Sequence, residues 1–289
     1  MKLVNDFFEY KILAMNDKNK IEDWNGIVLK RPDPQIIWND EENIKNIDAI
    51  YTRSNKGGGS WNILNRKIPN AWQIHYHELT FNLKLMGFKH TGLFPEQAYN
   101  WNLIQNKIKN SNKEVKVLNL FAYTGAASMA AASAGASVVH VDSSRGMVDW
   151  AKENMHSSNL DDRKIRFLVD DVVKFVKREI RRNNKYDIIL MDPPSFGRGA
   201  NKEIWNIEEK LFELVNLCTQ ILSDDPILFL INSYTTGLSK TVLENVLLKT
   251  VEKKYKGYIS SDELGLKAIN NMILPCGIYA RWEKEQSDM

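Results

Sequence analysis

The sequence predicts an α/β fold, in which helices cover both faces of a mostly parallel sheet, joined to a smaller β-rich region. From about residue 96, short apolar strands alternate regularly with helices, which is typical of parallel sheets. Before that point, short alternating apolar segments such as 35–38 and 79–83 are separated by turn residues. We therefore expect a β-rich N-terminal domain over residues 1–95 and a second domain over residues 96–289.

The elements of the second domain follow from apolar runs, helical periodicity and turn signals. Apolar runs predict strands at 115–121, 137–141, 164–169, 186–191, 226–232, 256–262 and 276–283. The segments between them predict helices at 96–109, 126–134, 144–156, 172–182, 203–222 and 239–252. Because ligands of such sheets bind beyond the carboxyl ends of the strands, the loops that follow the strands are the candidate sites.

The composition argues against a metal protein, a disulfide scaffold and a membrane protein. The two cysteines, Cys218 and Cys276, lack the spacing of a zinc site or a disulfide framework. His75 and His77 have no third ligand nearby, so we expect surface histidines. No apolar run approaches the ~18 residues that span a membrane, and no signal peptide is evident, so we expect a cytoplasmic protein. The net charge of +3 permits a nucleic-acid partner, and the sequence carries no signal for an oligomeric state.

Two strand ends point to a nucleoside ligand. The loop in VLNLFAYTGAAS, 117–128, has one glycine, Gly125, so it suits a ligand without phosphates; the alternative is a tight strand–helix turn. Asp142 ends the next strand, where its two oxygens would accept both hydroxyls of a ribose. The alternative for Asp142 is an N-cap of the following helix, which Ser143 or Ser144 would also provide.

Two further strand ends extend this pattern. Asp170 or Asp171 ends the third strand, where a carboxylate would accept from an adenine amine or would cap the next helix. The fourth strand runs into Asp192, Pro193 and Pro194, and neither proline has an N–H group. That turn therefore presents carbonyl oxygens, which can accept from a base or an amine.

Together, these strand ends resemble those of the class I S-adenosylmethionine-dependent methyltransferases over residues 96–283. The fourth motif of that family is similar to DPPSF, 192–196. The family has a bacterial branch of large-subunit ribosomal RNA cytosine-C5 and guanine-N7 methyltransferases, and a signature of that branch is similar to FKHTGLFPEQAYNW, 88–101. The resemblance implies a Rossmann-like seven-stranded sheet with an antiparallel last strand, S-adenosylmethionine as cofactor, and ribosomal RNA as substrate. The N-terminal domain would then cap the substrate.

The resemblance also implies which residues form the site. Tyr123, Thr124 and Gly125 would border the methionine part, Asp142 the ribose, and Asp171 with Val172 the adenine. The full cofactor set is Phe94, Gln97, Phe121, Tyr123, Thr124, Gly125, Asp142, Ser143, Asp171, Val172 and Asp192. The catalytic segment is Asp192, Pro193, Pro194, Ser195 and Phe196, between methyl donor and acceptor, and Phe196 would stack on a base.

The sequence departs from this branch at the catalytic cysteine. Cytosine-C5 chemistry needs a thiolate, but LFLINSYTTGLS, 228–239, contains no cysteine. Cys218 is expected in the core, whereas Cys276 is expected in the loop before the last strand, where a catalytic role stays open. The basic run 174–185 is expected on the face opposite the cofactor. The alternatives to an RNA enzyme are a methyltransferase of small molecules or proteins, and a non-catalytic cofactor-binding RNA-associated factor.

Overall fold

The computed structural model describes residues 1–40, 44–54, 58–198 and 204–285. The chain forms two compact units. The first contains Met1–Tyr99 and Leu264–Cys276, and the second contains Asn100–Glu263 and Gly277–Met289. The division of the chain into domains at residue 95 stays a prediction.

The first unit is built mainly from short antiparallel strands. They are β1 Lys2–Val4, β2 Tyr10–Asn16, β3 Asn19–Trp24, β4 Ile27–Pro32, β5 Ala49–Arg53, β6 Gly59–Ile63, β7 Trp72–Tyr76 and β8 Leu79–Leu83. Strands β2 to β6 form one sheet in chain order, in which β4 and β5 are parallel, and β7 and β8 form a hairpin. A short 3-10 helix follows at Pro95–Gln97.

The prediction of a strand at 35–38 is wrong. The chain turns at 34–35, and the rest of the segment is not extended in a sheet. The amide of Lys18 donates to the carbonyl oxygen of Ile36 over 2.7 Å, which fixes the turn against the β2–β3 connection. Ile36 is fully buried while Ile37 is 82% exposed. Buried and exposed residues therefore do alternate in this segment. The alternation comes from the burial of Ile36 and not from a strand.

The remaining elements alternate as predicted, apart from two additional short strands at 196–198 and 204–206. The strands are β9 Lys116–Leu120, β10 Ser137–Asp142, β11 Ile165–Val169, β12 Ile188–Met191, β13 Phe196–Arg198, β14 Ile204–Asn206, β15 Leu228–Ser233, β16 Gly257–Lys267 and β17 Ile273–Lys284. The helices are α1 Ala98–Lys109, α2 Ala126–Ser133, α3 Arg145–Ser157, α4 Val172–Arg181, α5 Ile207–Cys218 and α6 Lys240–Lys249.

The large sheet has the strand order β16-β17-β15-β12-β9-β10-β11. Its pairs from β15 to β11 are parallel, whereas β17 runs antiparallel to β15. The predicted α/β fold with an antiparallel last strand is therefore confirmed. In the first unit, β1 runs parallel to the segment 264–266 of β16.

Helices bury both faces of this sheet, which explains why the central strands are apolar throughout. All four residues of β12 and all six of β15 are buried. Helix α4 buries Val172, Phe175, Val176 and Glu179, a spacing that places one stripe of the helix against the sheet. Leu118 and Leu120 of β9 share that core with α5 and α6.

Helix α5 begins later than the predicted helix 203–222. Residues 204–206 instead form β14, which pairs antiparallel with β13. The side chain of Asn206 then accepts from the amide of Glu208 and caps the helix at Ile207. Residue 203, where the predicted helix begins, lies outside the described residues.

Candidate functional site

The carboxyl ends of the parallel strands bring four of the predicted loops together. We call this edge, where β9, β10, β11 and β12 end, the carboxyl edge. Backbone hydrogen bonds link neighbouring strand ends there. The amide of Ala122 donates to Val141 over 3.0 Å, and the amide of Asp170 donates to Asp142 over 3.0 Å. The segments 121–125, 142–143, 171–172 and 192–196 are thus held at one edge of one sheet.

The loop after β9 has an unusual backbone. Phe121, Tyr123 and Gly125 have φ values of 54°, 51° and 84°, in the left-handed region that L-residues seldom adopt. A Cβ atom at Gly125 would lie 3.0 Å from Cβ of Ala151 and 3.3 Å from Cε1 of His140. Glycine is therefore required both by the conformation and by the close approach of helix α3. The result is a tight left-handed loop, the cradle at Gly125, which packs closely on α3.

Asp142 is held by this loop. Its Oδ2 accepts from the amide of Tyr123 over 2.9 Å, and its Oδ1 accepts from the amide of Ser144 over 2.8 Å. The N-cap of α3 is Ser144, so the alternative of Asp142 as N-cap is not what the structure has. The side chain is half-buried, and the backbone amide of Ser143 is a third donor to it, so only part of its capacity to accept remains for a further donor. Burial raises the pKa of the carboxyl, and the backbone amides oppose that shift.

Hydrogen bonds between buried polar side chains lie beneath this loop, on the side of the sheet and of α3. The amide group of Asn154 donates to the carbonyl oxygen of Thr124 over 2.9 Å. Asn119 donates to the hydroxyl of Ser128 over 3.0 Å, and that hydroxyl lies 3.0 Å from Nδ1 of His140. These side chains were not predicted, although a polar residue inside the apolar runs of β9 and β10 was a signal for them.

Asp171 has the helix-capping role that the sequence left as an alternative. Its Oδ1 accepts from the amide of Lys174 over 2.8 Å at the start of α4. Asp170, its neighbour, forms an ion pair with Arg178. Val172 is 4% exposed. The adenine role of Asp171 and Val172 stays a prediction.

The segment 192–196 changes from buried to exposed along its length. Asp192 is half-buried and Pro193 is buried, whereas Pro194 and Ser195 are exposed. The ring of Phe196 is 56% exposed. The outer half of the segment is therefore available to a substrate.

Three contacts hold this segment in place. The indole Nε1 of Trp205 donates to the carbonyl oxygen of Pro194 over 2.7 Å. The hydroxyl of Ser195 lies 2.7 Å from that of Thr235, which follows β15. The indole ring of Trp205 also packs on Phe121 with a centroid distance of 4.8 Å, so it touches two of the four loops. Trp205 was not predicted as a site residue.

Phe94 and Gln97 lie in the first unit. Phe94 precedes the 3-10 helix that ends with Gln97, and its ring centroid lies 5.2 Å from that of His90. Gln97 is 8% exposed. Their predicted part in the cofactor site stays a prediction.

Neither cysteine is suited to act as a nucleophile. Cys276 lies inside β17, and not in the loop before it, because that strand begins at Ile273. Burial raises the pKa of its thiol well above the ordinary value, and the charge of Glu96 adds to the shift. Cys218 is fully buried in the core as predicted, and burial raises its thiol pKa as well. Both thiols are therefore protonated at neutral pH.

Two searches of the described part of the chain concern metal ligands and membrane-spanning helices. No three His, Cys, Asp or Glu side chains there are grouped to hold a metal ion. His75 contacts Glu9 at 3.0 Å and His77 contacts Asp6 at 2.9 Å. Within the same residues, no helix is long and apolar enough to cross a membrane.

The comparisons with known proteins identify the family. A sheet of this strand order, with a left-handed glycine loop and an acidic residue at the next strand end, defines a class of nucleoside-binding α/β proteins. The model of the S-adenosylmethionine-dependent methyltransferase family matches residues 52–247, so the chain belongs to that family. This confirms the predicted enzyme class and its cofactor, S-adenosylmethionine.

Solved structures agree with this assignment. The structure of a SAM-dependent methyltransferase from Agrobacterium tumefaciens is 31% identical, covers 98% of this chain and 93% of its own, and has a TM-score of 0.92. A candidate methyltransferase complexed with SAH is 22% identical, covers 96% of this chain and 76% of its own, and has a TM-score of 0.71. The second structure supports the fold alone.

Curated relatives match a smaller part of their own length. The ribosomal RNA large subunit methyltransferase K/L of Shewanella frigidimarina is 37% identical over 145 residues, or 50% of this chain and 20% of the relative. The protein of the same name from Cellvibrio japonicus is 26% identical over 222 residues, or 74% of this chain and 29% of the relative. The chain thus spans between a fifth and a third of these relatives.

Proposed function

We propose that this methyltransferase acts on a base of ribosomal RNA. The observation that carries the catalytic half of the proposal is the Asp142 carboxylate, held by two backbone amides beside the left-handed Gly125 loop. The RNA half is supported by the curated relatives, whose names describe ribosomal RNA methyltransferases. A ribosomal RNA substrate would also place the enzyme in the cytoplasm.

The residues at the carboxyl edge fit S-adenosylmethionine. The Asp142 carboxylate suits a ribose hydroxyl, since its two oxygens offer about four lone-pair sites in one plane and the backbone amides occupy only some of them. In this proposal, Tyr123 and Thr124 of the left-handed Gly125 loop border the methionine part. When bound, the cofactor supplies an electrophilic methyl group on a sulfonium ion.

The segment 192–196 would orient the acceptor base. The exposed ring of Phe196 offers an apolar face on which an unstacked base can rest. The bonds from Trp205 to Pro194 and between Ser195 and Thr235 keep the segment from moving when a base binds. Positioning of this kind and exclusion of water are what attack by a neutral nucleophile requires.

The acceptor atom is proposed to be a nitrogen or an oxygen. Methylation of a cytosine C5 by the family route needs a thiolate that attacks the base. Burial keeps the thiols of Cys218 and Cys276 protonated, and the stretch after β15 has no cysteine. A ring nitrogen, an exocyclic amine and a hydroxyl carry their own lone pair and need no such nucleophile.

Transfer of a labelled methyl group from S-adenosylmethionine tests the proposal. The acceptors are undermodified ribosomal RNA, total protein and a small-molecule extract, each with the wild-type enzyme and with a heat-inactivated control. Label in RNA is expected, and nucleoside mass spectrometry would then name the atom. Label in protein or in small molecules alone would overturn the RNA assignment.

A further inference from the structure

A basic cleft lies at the end of the sheet opposite the carboxyl edge. It has a volume of about 440 Å³ and is formed where β9, β10 and β11 begin and where the α4–β12 connection returns to the sheet. We call it the amino-edge cleft. Five cationic side chains line it: Lys116, Arg163, Lys164, Arg166 and Lys185. All five residues are exposed to solvent.

The sheet register explains why these charges converge. Lys116 pairs with Ser137 across the β9–β10 ladder, and Val139 pairs with Arg166 across the β10–β11 ladder. Register partners share a face of the sheet, and residues two apart in a strand share it too. Lys116 and Arg166 therefore lie on the same face, which is the face covered by α4. The cations come from two strands, β9 and β11, and from the connections before β11 and β12, so the cluster is more than the charged end of one helix.

The carboxylate that lines the cleft, Glu179, is occupied by other side chains of the protein. Glu179 of α4 is fully buried. Its Oε2 accepts from the hydroxyl of Tyr186 over 2.6 Å and from the amide of Asn184 over 2.8 Å, and its Oε1 lies 3.4 Å from Nη1 of Arg182. These contacts use the carboxylate to fix the back wall of the cleft. It is not left to pair with the cations at the rim.

Lys116 and Arg166 keep most of their capacity for an external anion, whereas Arg163 lies 3.6 Å from Asp162 and Lys185 donates to the carbonyl oxygen of Gln220 over 2.7 Å. In the described part of the chain, no carboxylate lies within 4.0 Å of the charged atoms of Lys116 or Arg166. Lys164 lies 3.0 Å from Glu114, but the two side chains are 76% and 60% exposed. Exposed pairs of this kind contribute little, so a phosphate can displace the carboxylate at small cost.

We propose that the amino-edge cleft binds phosphate groups of the RNA backbone and so anchors the substrate away from the reacting base. Arginine and lysine around a concave site favour phosphate over other anions, because several charges can contact one backbone. The six residues of β10 separate the cleft from the carboxyl edge by about 17 Å. Since one turn of a duplex measures about 34 Å, a structured RNA can contact both edges. Only the identity of the polyanion rests on the proposed function.

Binding of a fluorescein-labelled RNA stem–loop, followed by fluorescence anisotropy, tests this inference. The variant is the triple substitution Lys116→Ala, Lys164→Ala and Arg166→Ala. The matched control is Lys249→Ala, Lys253→Ala and Lys256→Ala, which removes the same charge from exposed lysines near the end of α6. Melting temperature and cofactor affinity are measured for both, and each should equal the wild-type value.

The cleft variant should bind the RNA at least roughly tenfold more weakly than the control. The slope of log K against log[salt], measured between about 50 and 200 mM salt, should be smaller in magnitude by about 2. Equal weakening in both variants, or no binding by the wild type, would overturn the inference. If the wild type methylates RNA but the cleft variant binds normally, the inference fails and the proposed function stands. If the wild type methylates no RNA but the cleft variant binds it more weakly, the inference stands alone.

Discussion

The side-chain amide of Asn154 donates to the carbonyl oxygen of Thr124 over 2.9 Å, and both residues are buried. This bond joins helix α3 to the loop that carries the three left-handed residues. A loop in that conformation needs surrounding structure to hold it, because its backbone is not favoured locally. Asn154 therefore acts as a positioning residue for the cradle at Gly125, although it lies far from it in sequence.

Replacing Asn154 by leucine should loosen this loop. The carbonyl of Thr124 would lose its donor inside the protein, which costs about 1–3 kcal/mol of unfolding free energy. S-adenosylmethionine should also bind more weakly. In the cofactor-free variant the loop 121–125 would no longer be held in the conformation that binds the cofactor. Urea denaturation and calorimetric titration measure the two effects. Asn106→Leu, at an exposed site on α1, is the control; equal cofactor affinities in the two variants would contradict the positioning role.

Replacing Trp205 by phenylalanine should affect transfer more than cofactor binding. The ring contact with Phe121 would largely remain, but the donor to the Pro194 carbonyl would be lost. A net hydrogen bond of about 0.5–1.5 kcal/mol predicts a roughly 2- to 10-fold lower kcat. The cofactor Kd should stay near the wild-type value. Single-turnover methyl transfer together with calorimetric titration separates the two quantities, and an unchanged kcat would show that the segment 192–196 needs no such support.

Trp205 and Asn154 also show where prediction from the sequence ends. The sequence identified Gly125, Asp142 and the segment 192–196 because each follows an apolar strand directly, and parallel strands end at one edge. Trp205 reaches that edge only because a hairpin brings it back to Pro194. Its pairing depends on contacts across the chain, which local periodicity does not encode.

The start of α5 illustrates the same limit within one element. A helical pattern from 203 onwards is visible in the sequence, but the ladder between β13 and β14 keeps residues 204–206 extended. The cap at Asn206 then fixes the first turn of the helix. Tertiary pairing here overrides local helical propensity.

Replacing Cys276 by serine should leave methyl transfer intact. Burial keeps this thiol protonated, whereas nucleophilic catalysis by cysteine needs the thiolate. Serine is close in size, and the thiol donates only a weak contact to Leu274 over 3.5 Å. Initial rates with labelled cofactor measure the effect. An inactive but folded Cys276→Ser variant would restore a covalent mechanism.

His140 should make the protein less stable in mild acid. Burial lowers the pKa of this imidazole to about 3, from an ordinary value of 6.5. Below pH 6.5 the unfolded chain binds a proton that the folded chain does not, so the free energy of unfolding falls with falling pH. The contribution is complete above pH 6.5 and is lost as the pH falls towards 3.

Comparison of the wild type with His140→Gln isolates this effect. The advantage of the wild type over the variant should shrink by up to about 1.4 kcal/mol per pH unit below pH 6.5. Urea denaturation at a series of pH values measures it. Parallel curves for the wild type and His140→Gln would mean that the folded protein accepts the proton.

Replacing Asp142 by alanine should abolish cofactor binding while the protein still folds. The variant removes both oxygens that we assign to the ribose, and charge-assisted hydrogen bonds of this kind predict an increase in the Kd for S-adenosylmethionine of about 100-fold or more. The amides of Tyr123 and Ser144 lose an acceptor, but they lie at a half-exposed edge where water can replace it. Asp149→Ala removes an exposed carboxylate of α3, which pairs with Lys152, and is the control. Normal cofactor affinity in Asp142→Ala would reject the ribose assignment, whereas a loss shared with Asp149→Ala would point to long-range electrostatics.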